Sequence, residues 1–209
     1  SERLPAAMVF DPQWLAVRPR TPEGPYPNLP ADWQMMPNPR FEVPEGRPLA
    51  GVRICVDAGH GGQVWGPTHG YTAGTRGVET GLTESEANLR TALFLWDLLT
   101  QAGAEVTMTR IREERVTPAN TSDREELHGR VVIAEQASCE HFVAIHHNAP
   151  GGGDRDVNYT AVYYFDTSRY DEAYNADAPY RPRRPDEALN RERVELAQAI
   201  QRSLERRLG

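Results

Sequence analysis

Val52-Arg53-Ile54-Cys55-Val56 runs straight into Asp57-Ala58-Gly59-His60-Gly61-Gly62, and Phe142-Val143-Ala144 runs into Ile145-His146-His147-Asn148-Ala149. Each is a short apolar run of strand length that empties into a loop carrying histidine. In open α/β sheets the carboxyl ends of the strands are the edge where ligands bind. Two imidazoles delivered to that edge from separate strands point to a metal site.

Working outward, the pattern alternates. A strand over 52–57 is followed by a glycine-rich loop over 58–82, then a helix over 84–101 closed by Gly103, and a strand over 105–109. Leu89, Ala92, Leu93, Trp96 and Leu99 recur at helical spacing and predict the buried stripe of that helix. A second helix is predicted over 123–137. Ser122 with Glu125 is a capping-box signature, and Leu127, Val131, Ala134 and Val132 supply its apolar side. Strands over 141–146 and 160–165 and a last helix over 187–208 complete the reading. Strands alternating with helices give an α/β fold: a single domain, largely parallel twisted sheet covered by helices on both faces, with an extended Pro-rich N-terminal arm.

A third donor lies between the two histidine motifs. Thr83 is an N-cap candidate, with Glu84 and Glu86 in the first turn, where carboxylates are electrostatically favoured. Glu84 is placed to project from the helix start toward the strand ends. Glu79 reads as a solvated loop charge. Glu86, two positions on from Glu84, faces about 200° away. Two His and one Glu with a fourth position open is a ligand set known for catalytic zinc.

Each residue also has a plainer reading. His60 could be a turn histidine with one backbone hydrogen bond. His146 and His147 are adjacent, and strand alternation lets at most one of them point into a shared site. Asp57 either orients a ligand histidine from behind or forms an Asx turn. Asn148 either donates to a substrate carbonyl or caps its loop. His69, in the glycine-rich loop, is a reserve contact, and His128 and His141 read as surface or structural.

Val56-Asp57-Ala58-Gly59-His60-Gly61-Gly62, Leu82-Thr83-Glu84 through Asn88-Leu89, and Ala144-Ile145-His146-His147-Asn148-Ala149 together resemble the zinc-binding N-acetylmuramoyl-L-alanine amidases, bacterial cell-wall hydrolases of the type-3 amidase fold. The resemblance runs from about Val52 to Phe165. It implies His60, Glu84 and His146 as ligands of Zn2+, and the muramic acid–L-alanine amide of peptidoglycan as substrate. It leaves His147 as a packing or rim residue. It implies a periplasmic or extracellular location. It also implies a protein activator as partner, because some members carry an insertion near 166–186 that occludes the metal until a partner displaces it. The family's second glutamate, a general acid/base on a late strand, has no counterpart in the helix running from Glu192 to Gly209. The expected layout is a Pro-rich arm over 1–48 and the catalytic domain over 49–209 without its C-terminal strand. Two other readings compete: a cell-wall-binding or regulatory module that keeps the zinc site, and a related zinc peptidase.

Composition narrows the partners. With 23 Lys and Arg against 30 Asp and Glu the net charge is −7, so the basic footprint of a nucleic-acid binder is absent. No stretch approaches the roughly 18 apolar residues of a membrane span. Cys55 and Cys139 are too few for a disulfide framework and read as buried free thiols. The arm holds Phe10, Trp14, Trp33, Met35, Met36 and Phe41 among its prolines. Such apolar anchors predict a segment packed along the domain or docked on a partner.

Overall fold

The computed structural model describes residues 45–62, 73–78, 81–118, 121–149, 159–166 and 187–208. The elements are β1 (Arg53–Ala58), α1 (Glu84–Gln101), β2 (Glu105–Met108), α2 (Asp123–Gln136), β3 (His141–Ile145) and α3 (Glu187–Leu208). Residues 1–44 of the Pro-rich arm, 63–72 and 79–80 of the glycine-rich loop, and the 167–186 stretch lie outside the described residues. The chain divides into two compact units, 1–149 and 150–209.

The first unit carries a parallel sheet in the order β2-β1-β3. Ile54, Val56 and Ala58 point to one face of β1, where they meet Leu89, Ala92, Leu93 and Trp96 of α1 together with Val106 and Met108 of β2. This face supplies the apolar core, each buried Leu or Val adding about 1.5–3 kcal/mol relative to exposure. Alternation sends Cys55 and Asp57 to the opposite face. There Asp57 meets Arg130 of α2 at 2.6 Å, so helices flank both faces as expected.

Local signals set the helix ends. The Thr83 hydroxyl accepts from the Glu86 amide at 3.2 Å. Ser122 and Glu125 close the capping box, with Ser122 N donating to Glu125 Oε2 at 2.7 Å. After α1 the chain turns at Gly103, whose φ of 100° favours glycine.

Two expectations are corrected. The buried face of α2 consists of Glu126, Gly129, Arg130 and Ile133, while Leu127 and Val131 are exposed. Helix periodicity permits either face, and the ion pairs beneath the sheet select the charged one. Residues 160–165 are not a strand. Alternating side chains give a segment two faces but no ladder. In the second unit, α3 side chains take up the ends of this stretch: Gln201 Nε2 donates to the Thr160 carbonyl and Arg193 Nη1 to that of Phe165, each at 3.3 Å.

Candidate metal centre

Parallel register brings the two histidine loops together. Ala58 is paired with Ile145, and the Gly59 amide donates to the Ile145 carbonyl at 3.1 Å. Both strands therefore run out at one edge, His60 following β1 and His146 following β3. The two rings lie 5.0 Å apart at 78°. His60 has φ of 63°, in the left-handed region that histidine tolerates better than bulky or branched residues.

The start of α1 points Glu84 between the rings. Its Oε1 is 3.2 Å from His60 Nε2 and 3.0 Å from His146 Nδ1. One donor atom from each of the three residues falls within 4.8 Å of the others. The Glu84 side chain is 3% exposed and that of His146 45%, so the group is sealed on the helix side and open on the other.

Glu84 is held from several directions. The Thr75 amide donates to Oε2 at 3.0 Å and the His147 amide to Oε1 at 3.2 Å. Burial alone would raise the carboxyl pKa. Hydrogen bonds from the His146 and His60 rings and from Thr75, with the charge of His60, outweigh it and hold the carboxyl well below the usual range. Glu84 is thus an anion at any working pH. Two glycines make room for these groups. A Cβ on Gly59 would lie 2.3 Å from His146 Cε1, and one on Gly74 would lie 2.5 Å from Glu84 Oε2.

The remaining predicted residues are placed as follows. Asp57 Oδ1 accepts from Thr109 Oγ1 and from Arg130 Nη1, both at 2.6 Å. Its link to His60 runs through Arg130, whose Nη2 donates to the His60 carbonyl at 2.6 Å. His147 is not merely at a rim: its Nδ1 lies 2.7 Å from Oδ1 of the fully buried Asn88. β3 ends at Ile145, so strand alternation no longer separates His146 from His147, and both turn toward α1. Glu86 points away from the rings and pairs with Arg90 at 2.5 Å. Asn148 is exposed, as is His141 at the start of β3. His128 is on α2 with its pKa lowered by burial. His69 and Glu79 lie outside the described residues. Cys55 is buried and Cys139 half-buried, both free, and burial pushes both thiols up.

Sequence reading missed Thr75, Asn88, Arg110 and Arg130. The Glu126/Arg130 spacing of one helical turn was a signal, but such pairs usually lie on a solvated face. Nothing local distinguishes this pair from one in water.

Two imidazoles and one anionic carboxylate, open on one side, fit a zinc ion with an exchangeable fourth position. No helix among the described residues is long and apolar enough to cross a membrane.

Comparison with known proteins finds amidases as relatives. The germination-specific N-acetylmuramoyl-L-alanine amidase of Bacillus subtilis is 32% identical over 111 residues, covering 51% of this chain and 43% of that protein. The chain therefore spans less than half the length of this curated relative. The solved N-acetylmuramoyl-L-alanine amidase AmiC2 of Nostoc punctiforme is 29% identical, covering 58% of this chain and 55% of that one, with a TM-score of 0.43. The CwlD amidase of Clostridioides difficile, solved in complex with the GerS lipoprotein, is 24% identical over 49% of this chain and 51% of that one, with a TM-score of 0.38. Residues 54–209, which contain all three donors, match the N-acetylmuramoyl-L-alanine amidase family, and the chain belongs to it.

Proposed function

We propose that this chain carries the metal centre of a zinc-dependent hydrolase that cleaves the amide between N-acetylmuramic acid and L-alanine in peptidoglycan. The observation that carries the reading is the convergence of His60 Nε2, Glu84 Oε1 and His146 Nδ1 at one sheet edge. His60, Glu84 and His146 would hold the zinc ion, which would supply Lewis acidity toward an amide carbonyl and water.

The protein's own groups do the rest. Glu84 contributes a permanent negative charge, because hydrogen bonds to both of its oxygens keep it ionised. Thr75 and the His147 amide fix the carboxylate's rotation, so that Oε1 faces the rings. The exposed side of His146 is where an extended glycan-peptide strand has access. Among the described residues, Glu84 is the one carboxylate of this three-residue metal-ligating group.

The same reading includes a periplasmic or extracellular location, where peptidoglycan lies. It also includes a protein activator that displaces an occluding segment over 166–186, motivated by the position and length of that charged stretch. Deleting 166–186 should raise the activity of the protein alone; unchanged activity and zinc exchange would remove the activator from the proposal.

The test pairs metal content with product. One zinc per chain, lost in His60→Ala, with muramic acid freed of its stem peptide from purified sacculi, is the expected result. Zinc without release favours a binding or regulatory module. Cleavage of plain peptides but not sacculi favours a peptidase. No zinc on the unmodified protein would overturn the site.

A further inference from the structure

Three consecutive carbonyls, those of Ala58, Gly59 and His60, accept from two buried guanidinium groups. Arg110, whose side chain is 1% exposed, donates from Nε to Ala58 O at 2.8 Å and from Nη2 to Gly59 O at 3.0 Å. The same Nη2 donates to Ser85 O at 2.7 Å, and Nη1 donates to Arg112 O at 2.9 Å. Arg130, 5% exposed, donates from Nη1 to Ala58 O at 3.0 Å and from Nη2 to His60 O at 2.6 Å. Its charge is met by Asp57 at 2.6 Å and Glu126 at 2.9 Å, and that of Arg110 by Glu113 at 3.3 Å.

This arrangement exceeds what packing needs. Ala58 ends β1 and His60 sits at positive φ, so the chain turns out of the sheet here, and the two guanidiniums supply donors to all three carbonyls. A backbone conformation of this kind persists only when its surroundings over-determine it. Arg110 also bridges two elements: it holds the exit of β1 through Ala58 and Gly59, and the first turn of α1 through Ser85, next to Glu84. A planar fork with fixed donor directions can do this, and the single ammonium of a lysine cannot.

We propose that Arg110 and Arg130 are positioning residues that preset the separation of His60 and Glu84, and so set metal affinity. This rests on the zinc reading above. Neither guanidinium touches the donor atoms. They act through the backbone carbonyls of the loop that carries His60 and the turn that carries Glu84.

Arg130→Lys and Arg110→Lys keep the buried charge but lose the fork. Zinc affinity, measured by chelator competition on the full chain, should fall about 10–100-fold in each, as is usual when groups behind metal ligands are altered. The visible absorption of the cobalt-substituted protein should broaden and weaken. Ile133→Val, a core change on the same helix, should lower Tm while leaving affinity within about twofold and the cobalt spectrum unchanged. If Arg130→Lys fails to fold by circular dichroism, Thr109→Val decides, because it removes one of the two hydrogen bonds that fix the Asp57 carboxylate against Arg130 without removing a charge: weakened zinc binding supports the proposal, and unchanged binding overturns it. Lysine variants that fold and bind zinc as tightly as the unmodified protein would overturn the positioning role and leave the zinc site standing. An unmodified protein without zinc would overturn both.

Discussion

Gly59 and His146 occupy what is nearly the same space: a Cβ on Gly59 would lie 2.3 Å from Cε1 and 2.4 Å from Nε2 of the imidazole. The ring of one strand's histidine thus rests on the bare backbone of the other strand's exit. The glycine before His60 is there for close approach.

Gly59→Ala should therefore act on the site more than on the fold. His146 is 45% exposed and can swing outward, but only by leaving Glu84. We expect zinc affinity to fall at least about tenfold, with Tm lowered by only a few degrees. Calorimetric zinc titration beside thermal melts checks this, and an unchanged affinity would refute it.

Gly74→Ala should cost stability as well. Its φ is 64° and the added Cβ would lie 2.7 Å from the Glu84 Cβ. Strain of this kind costs about 1–3 kcal/mol, measured as a lower urea midpoint at unchanged slope. Zinc affinity should fall with it, because Glu84 must shift.

Glu126 makes acid stability predictable in sign. Burial alone would raise its pKa, but Thr117, the Val116 amide, Arg130 and Arg115 outweigh that and lower it from the ordinary glutamate value. A depressed folded-state pKa contributes stability that is present above the ordinary glutamate value and lost as pH falls through the folded one. Glu126→Gln should flatten that loss and cost about 1–3 kcal/mol at neutral pH. Urea unfolding from pH 7 down to pH 3 tests both, and an equal acid slope in the two proteins would count against the ion-pair account.

The cysteines should be slow. Cys55 is fully buried and burial raises its thiol pKa beyond the working range; Cys139 is half-buried and raised less. Iodoacetamide near pH 8 should label Cys139 first and Cys55 only after denaturant. Labelling of Cys55 in the native protein at the rate of a free thiol would contradict its placement.

The local half of the structure was legible from residue order. Thr83 and the Ser122/Glu125 pair mark their helix starts because a cap is an interaction between neighbours in sequence. β1, α1, β2, β3 and α3 were legible as apolar or helical runs. His60, Glu84 and the His146/His147 pair were legible as donors at the ends of elements, while the choice of Glu84 and of His146 over His147 came from the family resemblance. The strand over 160–165 and the apolar side of α2 were misread for one reason. Both depend on what lies opposite, and Leu127 carries no mark of being exposed while Arg130 is buried.

By itself the sequence determined β1 to β3 and α1 to α3, the N-caps of α1 and α2, and the residue types offered at one sheet edge, since periodicity and capping act within a few residues. Tertiary structure alone decided that His146 meets Glu84 while His147 turns to Asn88, that Asp57 reaches Arg130, and that two guanidiniums hold the His60 loop from beneath. Those contacts join positions far apart in the chain, such as 57 with 130 and 59 with 146. They exist because strand register brings the ends of β1 and β3 side by side, and because buried carbonyls and charges must find partners once water is gone.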